Sequence, residues 1–578
     1  IEVLAAKLIF TTQPSTTGVS VTMGNVAVTA YDACGNKDLG FTGVVSLTST
    51  GTMTGSPLSV NAVAGVATFS GIIHTATGTG FTMNATATGL TSITSNAFDI
   101  VTVTVLLPGD FAIVAVNTSA ESTGSADEIT FVSFKDISVG TQIFLTDNGY
   151  ERVTAGLWGN TEGIVSLTRT GSALPKGTFV TIHSQDGGIG DGTDFTISVC
   201  GVEDTNWTKN EISATGKFDL NKDDQVWFTQ GGAWTNVNTG SHNTAYSGNV
   251  LYGWTDIAWK TAPGYASTAG STIIEGFKCF TTDVNNVVTG ASRVTFNFDS
   301  FSSVTTNDQL DWVVLINNPA NWTAHTNNSG YFGSAAYTHY NSTSCSTMTI
   351  ATDLHTAGVW TGATDTNWFN CSNWDTLKVP DQNTNVLLSS AKATQEAVIS
   401  STATDATLYG NIAKTNNLTI SAEKVEIVNS GTTNILEVHG DLLIDNSGAL
   451  DMNVGGTTNA HIKLYGNWTN NVGNIAFDEG QGTVTFTGTT PQIISNVTPE
   501  GTETFGNLIL NNNFDTSVSN NIIAKGNLTI NTGRTLTITA DDYAEVTNSV
   551  FNNGTFNILN DGSLVQINDL GVNTGNIS

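Results

Sequence analysis

Gly440-Asp441-Leu442-Leu443-Ile444, Gly466-Asn467-Trp468, Gly506-Asn507-Leu508-Ile509-Leu510 and Gly526-Asn527-Leu528-Thr529-Ile530 are variants of one phrase: glycine, Asn or Asp, then an alternating apolar run. Asn417-Leu418-Thr419-Ile420 is the same phrase without its glycine. The starts lie 26, 40 and 20 residues apart, which fits a unit of about 20–26 residues with one phrase missing near Gly482-Thr483-Val484-Thr485-Phe486. Alternating apolar runs are strand-like and the Asn, Ser, Gly and Thr between them are turn-like. Strand repeats at this period predict a parallel β-helix over roughly residues 417–578. The apolar residues of each phrase are expected to stack inward, with Asn and Thr facing water.

Working outward, 578 residues are too many for one core, and length alone allows about four domains. The pattern defines three: residues 1–107, 108–350 and 351–578. The whole chain is expected to be all-β. It carries 19 basic and 49 acidic residues, a net charge of −30. That balance excludes the basic footprint of a nucleic-acid binder and disfavours an anionic membrane surface. Charged residues make up only 12% of the chain, about half the usual share. Thr, Asn, Ser and Gly fill the surface instead, which suits an extracellular β protein. No run of 18 apolar residues is present, so no membrane insertion is expected. Ile1-Glu2-Val3-Leu4 leads directly into strand-like sequence, and Asn576-Ile577-Ser578 ends mid-pattern. The chain therefore reads as a mature or excised piece with further repeats to follow.

Five cysteines, Cys34, Cys200, Cys279, Cys345 and Cys371, include no Cys-x-x-Cys pair, which argues against a zinc knuckle or redox motif. Cys200 with Cys279, and Cys345 with Cys371, are the disulfide candidates for an oxidising compartment.

Residues 6–100 read as short strands with turn signals every 8–12 residues, the pattern of a β-sandwich. Ala30-Tyr31-Asp32-Ala33-Cys34-Gly35-Asn36, Thr48-Ser49-Thr50-Gly51 and Gly65-Val66-Ala67-Thr68-Phe69 resemble the bacterial immunoglobulin-like repeats of surface adhesins. The resemblance implies a spacer domain. Asp32 and Asn36 are candidates for a calcium loop or for an Asx-type turn.

Strand candidates in the middle domain are Glu128–Phe134, Thr141–Thr146, Gly163–Thr168, Phe179–His183, Gln225–Thr229, Val250–Tyr252, Val294–Phe298 and Asp311–Leu315. Trp254–Trp259 is expected to form one helical turn. Gly109–Val114, Asp127–Val132 and Gly140–Tyr150 look like a β-sandwich module of secreted Bacteroidetes proteins, loosely similar to lamin-tail domains. That resemblance implies location more than activity. Eight tryptophans fall here: Trp158, Trp207, Trp227, Trp234, Trp254, Trp259, Trp312 and Trp322. They fill a large core or stack on glycan rings. Asp186, Asp191 and Asp194, in a glycine-rich loop, have the carboxylates to converge on Ca2+. Asp219, Asn221 and Asp223 have the opening spacing of a calcium loop but lack its later glycine and Glu. No cofactor is otherwise required.

Trp360-Thr361-Gly362-Ala363-Thr364-Asp365-Thr366-Asn367-Trp368-Phe369-Asn370-Cys371-Ser372-Asn373-Trp374-Asp375 resembles the entry to repeat regions of large Bacteroidetes surface proteins exported by the type IX secretion system. Gly482–Ile494, Phe505–Asn512 and Gly562–Asp569 match the same family. The resemblance implies a right-handed parallel β-helix after the entry and secretion machinery of the outer membrane as a partner. Trp360, Trp368 and Trp374 are then expected to cap the open end of the solenoid, with sugar stacking as the alternative.

Enzymes also use β-helices, and their chemistry needs clustered carboxylates or a base beside a metal. From Asn385 on, Lys392, Lys414, Lys424, Lys463, Lys525 and Arg534 show no clustering with acids at the repeat spacing. The eight histidines lie in no nucleophile elbow or His-Glu-x-x-His motif. The expectation is a non-catalytic, extracellular cell-surface adhesin or structural stalk whose partners are a cell surface, a glycan or other copies of itself. The alternatives are a self-assembling filament subunit and a secreted protein that binds or degrades polysaccharide.

Overall fold

The computed structural model describes residues 4–578 except 119–126, 152–156, 160–161, 185–194, 213–217, 219, 221–223, 238–243, 261–270, 286–291, 343–344, 429–433, 455–459, 474, 497–500, 512–514, 519–520, 539–541 and 559–563. The chain is built mainly of β-strands and forms two compact units, Ile1–Ile273 with Phe280–Thr352, and Ile274–Cys279 with Asp353–Ser578.

The first unit begins with short, mainly antiparallel strands. Lys7–Thr12, Val26–Tyr31 and Val66–Phe69 form one sheet, and Leu58–Asn61, Val44–Ser49, Met83–Thr86 and Ile93–Thr94 another. Alternation places Leu8, Phe10, Val26, Val28, Val45, Leu47, Met83 and Ala85 in one core. Beyond residue 107 lie two larger sheets. The first runs in the order Val202–Glu203, Phe195–Val199, Phe179–Ser184, Glu128–Ser133, Phe111–Asn117, Arg293–Phe296 and Trp322–Ala324. The second contains Trp207–Glu211, Ile164–Arg169, Gln142–Thr146, Gln225–Gln230, Asn249–Thr255 and Thr281–Asp283. The sheets meet where Phe111 and Phe131 of one contact Phe228 of the other, with ring centroids 5.2 and 5.0 Å apart.

Two local readings are corrected. Asp311–Leu315 is not a strand but part of the helix Gln309–Asn317. The Asp308 side chain accepts hydrogen bonds from the Leu310 and Asp311 amides, and the Asp311 side chain accepts one from the Asp308 N–H. This capping box starts a helix that buries Leu310, Trp312, Val313 and Ile316. Trp254 is not helical; it lies in the strand Asn249–Thr255, paired with Val226.

The second unit contains long parallel ladders. Successive strands fall on three faces, and each strand from Val386–Ser389 to Trp468–Asn470 pairs with the strand three places further along. On the first face Leu418 pairs with Leu442, Leu442 with Trp468 and Trp468 with Ile494, offsets of 24, 26 and 26 residues. Later the repeat shortens: Thr535 pairs with Thr555, an offset of 20. Leu418, Ile420, Leu442, Ile444 and Trp468 stack inward, essentially unexposed, in one continuous core.

The recurring phrase changes face. Gly440–Ile444 and Gly466–Trp468 lie at strands of the first face, Gly506–Leu510 and Gly526–Ile530 at strands of the third. The 40-residue gap is this change of face. The strand Thr483–Phe486 occupies the third face one coil before Asn507–Leu510. Each glycine is set by proximity: a Cβ at Gly466 would lie 2.3 Å from the Gly440 carbonyl oxygen.

The Asn and Asp side chains of the phrase do not simply face water. Asn417 Oδ1 accepts the Asp441 amide at 2.8 Å, Asp441 Oδ1 the Asn467 amide at 2.7 Å and Asn467 Oδ1 the Ile493 amide at 2.9 Å. On the third face Asn507 Oδ1 accepts the Asn527 amide at 3.0 Å. Each side chain thus holds the start of the equivalent strand one coil on. Basic residues also pair across coils: Lys463 Nζ lies 3.0 Å from Glu437 and Lys424 Nζ 2.8 Å from Asp451. The register places these partners side by side, though their residue numbers are far apart, and as surface pairs they add little stability.

Replacing Asn467 with Ala should destabilise the second unit by about 1 kcal/mol, because the Ile493 N–H loses its acceptor. Thr419→Ala, at an outward position, should stay within about 0.5 kcal/mol of the parent. Urea denaturation of both variants checks this; equal effects would mean that the ladder contributes nothing.

Candidate functional site

The seven-stranded sheet has an apolar inner face, carrying Ile129, Phe131, Val180, Ile182 and Ile197, and a polar outer one. Register sets the outer row. Glu128 pairs with His183 and His183 with Thr196, while Thr130 pairs with Thr181 and Thr181 with Ser198. The helix Ala335–Tyr340 lies over this face, with Phe179 and Tyr340 rings 4.8 Å apart.

These elements bring a connected polar group together. His183 Nδ1 contacts Glu128 Oε1, and His183 Nε2 lies 3.0 Å from Ser198 Oγ. The Tyr337 hydroxyl donates to Glu128 Oε1 at 3.0 Å. Ser198 Oγ also lies 3.2 Å from Asn341 Oδ1, and Asn341 Nδ2 donates to the Tyr337 oxygen at 2.6 Å. Glu128 and Ser198 are buried, whereas the His183 side chain is 22% exposed. A cavity of about 370 Å³ opens beside them, lined by His183, Thr196, Ser198, Gly201, Glu203 and Asn341. Burial, with the charge of Glu128 second, pushes the Tyr331 and Tyr337 phenols above their usual range. Both therefore stay protonated near neutral pH.

The disulfides lie elsewhere than the sequence pairs them. Cys200 bonds Cys345, with Cα atoms 5.3 Å apart, and Cys279 bonds Cys371, with Cα atoms 6.0 Å apart. Neither Cys200–Cys279 nor Cys345–Cys371 forms. Cys200 and Gly201 make the tight turn between Val199 and Val202, both with positive φ, as a two-residue hairpin requires. That turn meets the segment following Ala335–Tyr340, so sheet position chooses the partner rather than chain order. Cys279 belongs with the second unit, where Lys278 Nζ also contacts Asp405 at 2.7 Å.

Asp186, Asp191 and Asp194 lie outside the described residues, as do Asp219, Asn221 and Asp223. Asp32 closes its own turn, accepting the Cys34 and Asn36 amides at 2.9 and 2.8 Å, and the Asn36 hydrogen bonds hold its carboxyl below the usual range. Of the eight tryptophans in the middle segment, all but half-buried Trp259 are buried, so seven offer no open ring face to a sugar.

Trp360, Trp368 and Trp374 are buried with Val386, Leu388, Ala397 and Ile399 of the first coil. Trp374 packs edge-on against both others, at 5.0 and 4.8 Å. Their segment acts as a partial rung: the Trp360 amide donates to the Leu387 carbonyl and the Trp368 amide to the Val398 carbonyl. Asn373 knits the loop, its Oδ1 accepting the Thr364 and Asp365 amides and its Nδ2 donating to Asp365 Oδ1.

Among the described residues of the second unit, Glu503 is a buried acid that the alternation leaves inward. Glu503 Oε2 accepts from Asn470 Nδ2 at 3.0 Å and Asn496 Nδ2 at 3.2 Å, and the Trp468 indole faces the same carboxyl. The group sits where the second-face ladder breaks, since Phe477–Asp478 and Thr502–Phe505 fall in different sheets. Burial pushes Glu503 up to about 8.

No family model, curated protein or solved structure matches the chain.

The unfolded chain releases the Glu503 proton near its ordinary value of 4.5 and the folded coil near 8. Between these values the folded state holds the extra proton, so this contribution to stability falls as pH rises, by about 1.4 kcal/mol per unit. Glu503→Gln should remove that slope. Denaturation of parent and variant at pH 5, 7 and 9 checks it, with the variant gaining over the parent up to about pH 8 and no further above it.

Proposed function

We propose that the chain is an extracellular cell-surface adhesin or structural stalk protein. Residues 1–107 act as an immunoglobulin-like spacer and 108–350 as a lamin-tail-like sandwich. Residues 351–578 form a right-handed parallel β-helix that serves as a stiff rod, with Trp360, Trp368 and Trp374 as its cap. The observation that carries this reading is the parallel ladder of the second unit, in which the described strands pair from coil to coil and the first strands meet a tryptophan-rich segment. Such a stack resists bending because its backbone bonds and its core both run along the coil axis. The Cys200–Cys345 and Cys279–Cys371 bonds support an oxidising compartment, and a net charge of −30 with 12% charged residues supports an extracellular exterior. The function is mechanical, with a surface or glycan as the partner.

Incubated with a panel of polysaccharides, the purified chain should release no reducing sugar. Release that is lost on mutating an acidic pair, such as Asp478 with Glu479, would overturn the mechanical reading in favour of a polysaccharide-degrading one. A glycan array probed with the whole chain separates a pure stalk, which binds nothing, from a glycan-contacting adhesin.

A further inference from the structure

We propose that Ser198, His183 and Glu128 form an acyl-transfer site that hydrolyses small uncharged carboxylic esters. This goes beyond the stalk reading and is independent of it. The arrangement has the connectivity that a serine nucleophile needs: a hydroxyl 3.0 Å from Nε2 of an imidazole whose Nδ1 contacts a buried carboxyl. Three adjacent antiparallel strands fix it, so the geometry is set by register rather than by a loop. Glu128 is further held by the Tyr337 hydroxyl, and that tyrosine stays protonated, as its raised pKa requires.

The chain of contacts ends at a cavity that opens to the surface. Ser198 is 6% exposed, yet it lines about 370 Å³ of accessible space together with His183, Thr196, Gly201 and Glu203. That volume lies at the small end of ligand sites. The Glu203 carboxylate on the wall and the net charge of −30 disfavour an anionic substrate. A short neutral acyl group fits both facts.

The step balances without a cofactor. Ser198 Oγ bonds to the ester carbonyl carbon while its proton passes to His183 Nε2. Collapse of the tetrahedral adduct breaks the bond to the alcohol oxygen, which leaves with the proton from His183. Water then attacks the acyl-serine with His183 again accepting a proton, releasing the carboxylic acid and restoring the hydroxyl. Ser198 and His183 are the catalytic residues. Glu128 is a positioning residue, holding the Nδ1 tautomer and facing the imidazolium as it forms. Asn341 Oδ1 is the competing acceptor for the Ser198 proton, so the hydroxyl must turn from Asn341 to His183 to react.

The test is covalent labelling of the whole chain with a fluorophosphonate probe, located by peptide mass spectrometry, alongside turnover of p-nitrophenyl acetate. Probe attached to Ser198, and acetate release that the probe blocks, is the expected result. His183→Ala should slow labelling by about 100-fold, the size of a general-base contribution, and Ser198→Ala should abolish it. Glu128→Gln should slow labelling and displace the acid limb of its pH profile, a change that mere loosening of the sheet does not produce. Wild-type protein that takes up no probe, or takes it up elsewhere than Ser198, overturns the proposal without recourse to any variant. Turnover that survives Ser198→Ala in a folded protein does the same.

Discussion

The parallel ladder between coils is the constraint on which the second unit depends. A strand in that stack satisfies its backbone only through the coils before and after it, so every residue must tolerate the same position one repeat away. Inward columns therefore become continuous, as in Leu418, Leu442 and Trp468. Strand starts are pinned by Asn or Asp side chains that accept the next coil's amide. Glycine is required where the coils come too close for a Cβ. At the start of the stack the Trp360–Asp375 segment donates amides to the Leu387 and Val398 carbonyls, and its tryptophans are buried with the first strands.

The first unit solves a different problem. Its antiparallel strands bury one face of the seven-stranded sheet against the six-stranded sheet, with aromatic rings at the contact. The opposite face is polar, and short helices cover part of it. Covering a polar face concentrates its side chains on one another instead of on water, which is how Glu128, His183 and Ser198 become partners. The Cys200–Cys345 bond fastens the hairpin turn of this face to the chain that follows the helix.

Two buried acids show how context decides the state of one side-chain type. Glu503 meets amides of Asn470 and Asn496 with no cation among the described contacts, and burial raises it to about 8. Glu128 meets an imidazole and a phenol at a cavity edge. The first is a fixture of a core, and the second has chemistry within reach.

The β content, the repeat of about 20–26 residues and the inward alternation of apolar residues were legible because each is a local pattern, carried by neighbours along the chain. The helix at Gln309–Asn317 was missed: its signal lay in the capping pair Asp308 and Asp311, but the apolar run Trp312–Ile316 reads as a strand. What no local pattern carries is adjacency across strands. The change of face by the Gly-Asn phrase, the disulfide partners, the pairing of Lys463 with Glu437 and the meeting of Glu128, His183 and Ser198 all depend on register between distant segments. Residues 128, 183 and 198 share a sheet face only because three strands pair as they do. By itself, then, the sequence determined which residues alternate and which turn, since those choices are made within a few bonds. The tertiary structure alone decided which side chains touch, because strand pairing joins residues that the chain holds far apart.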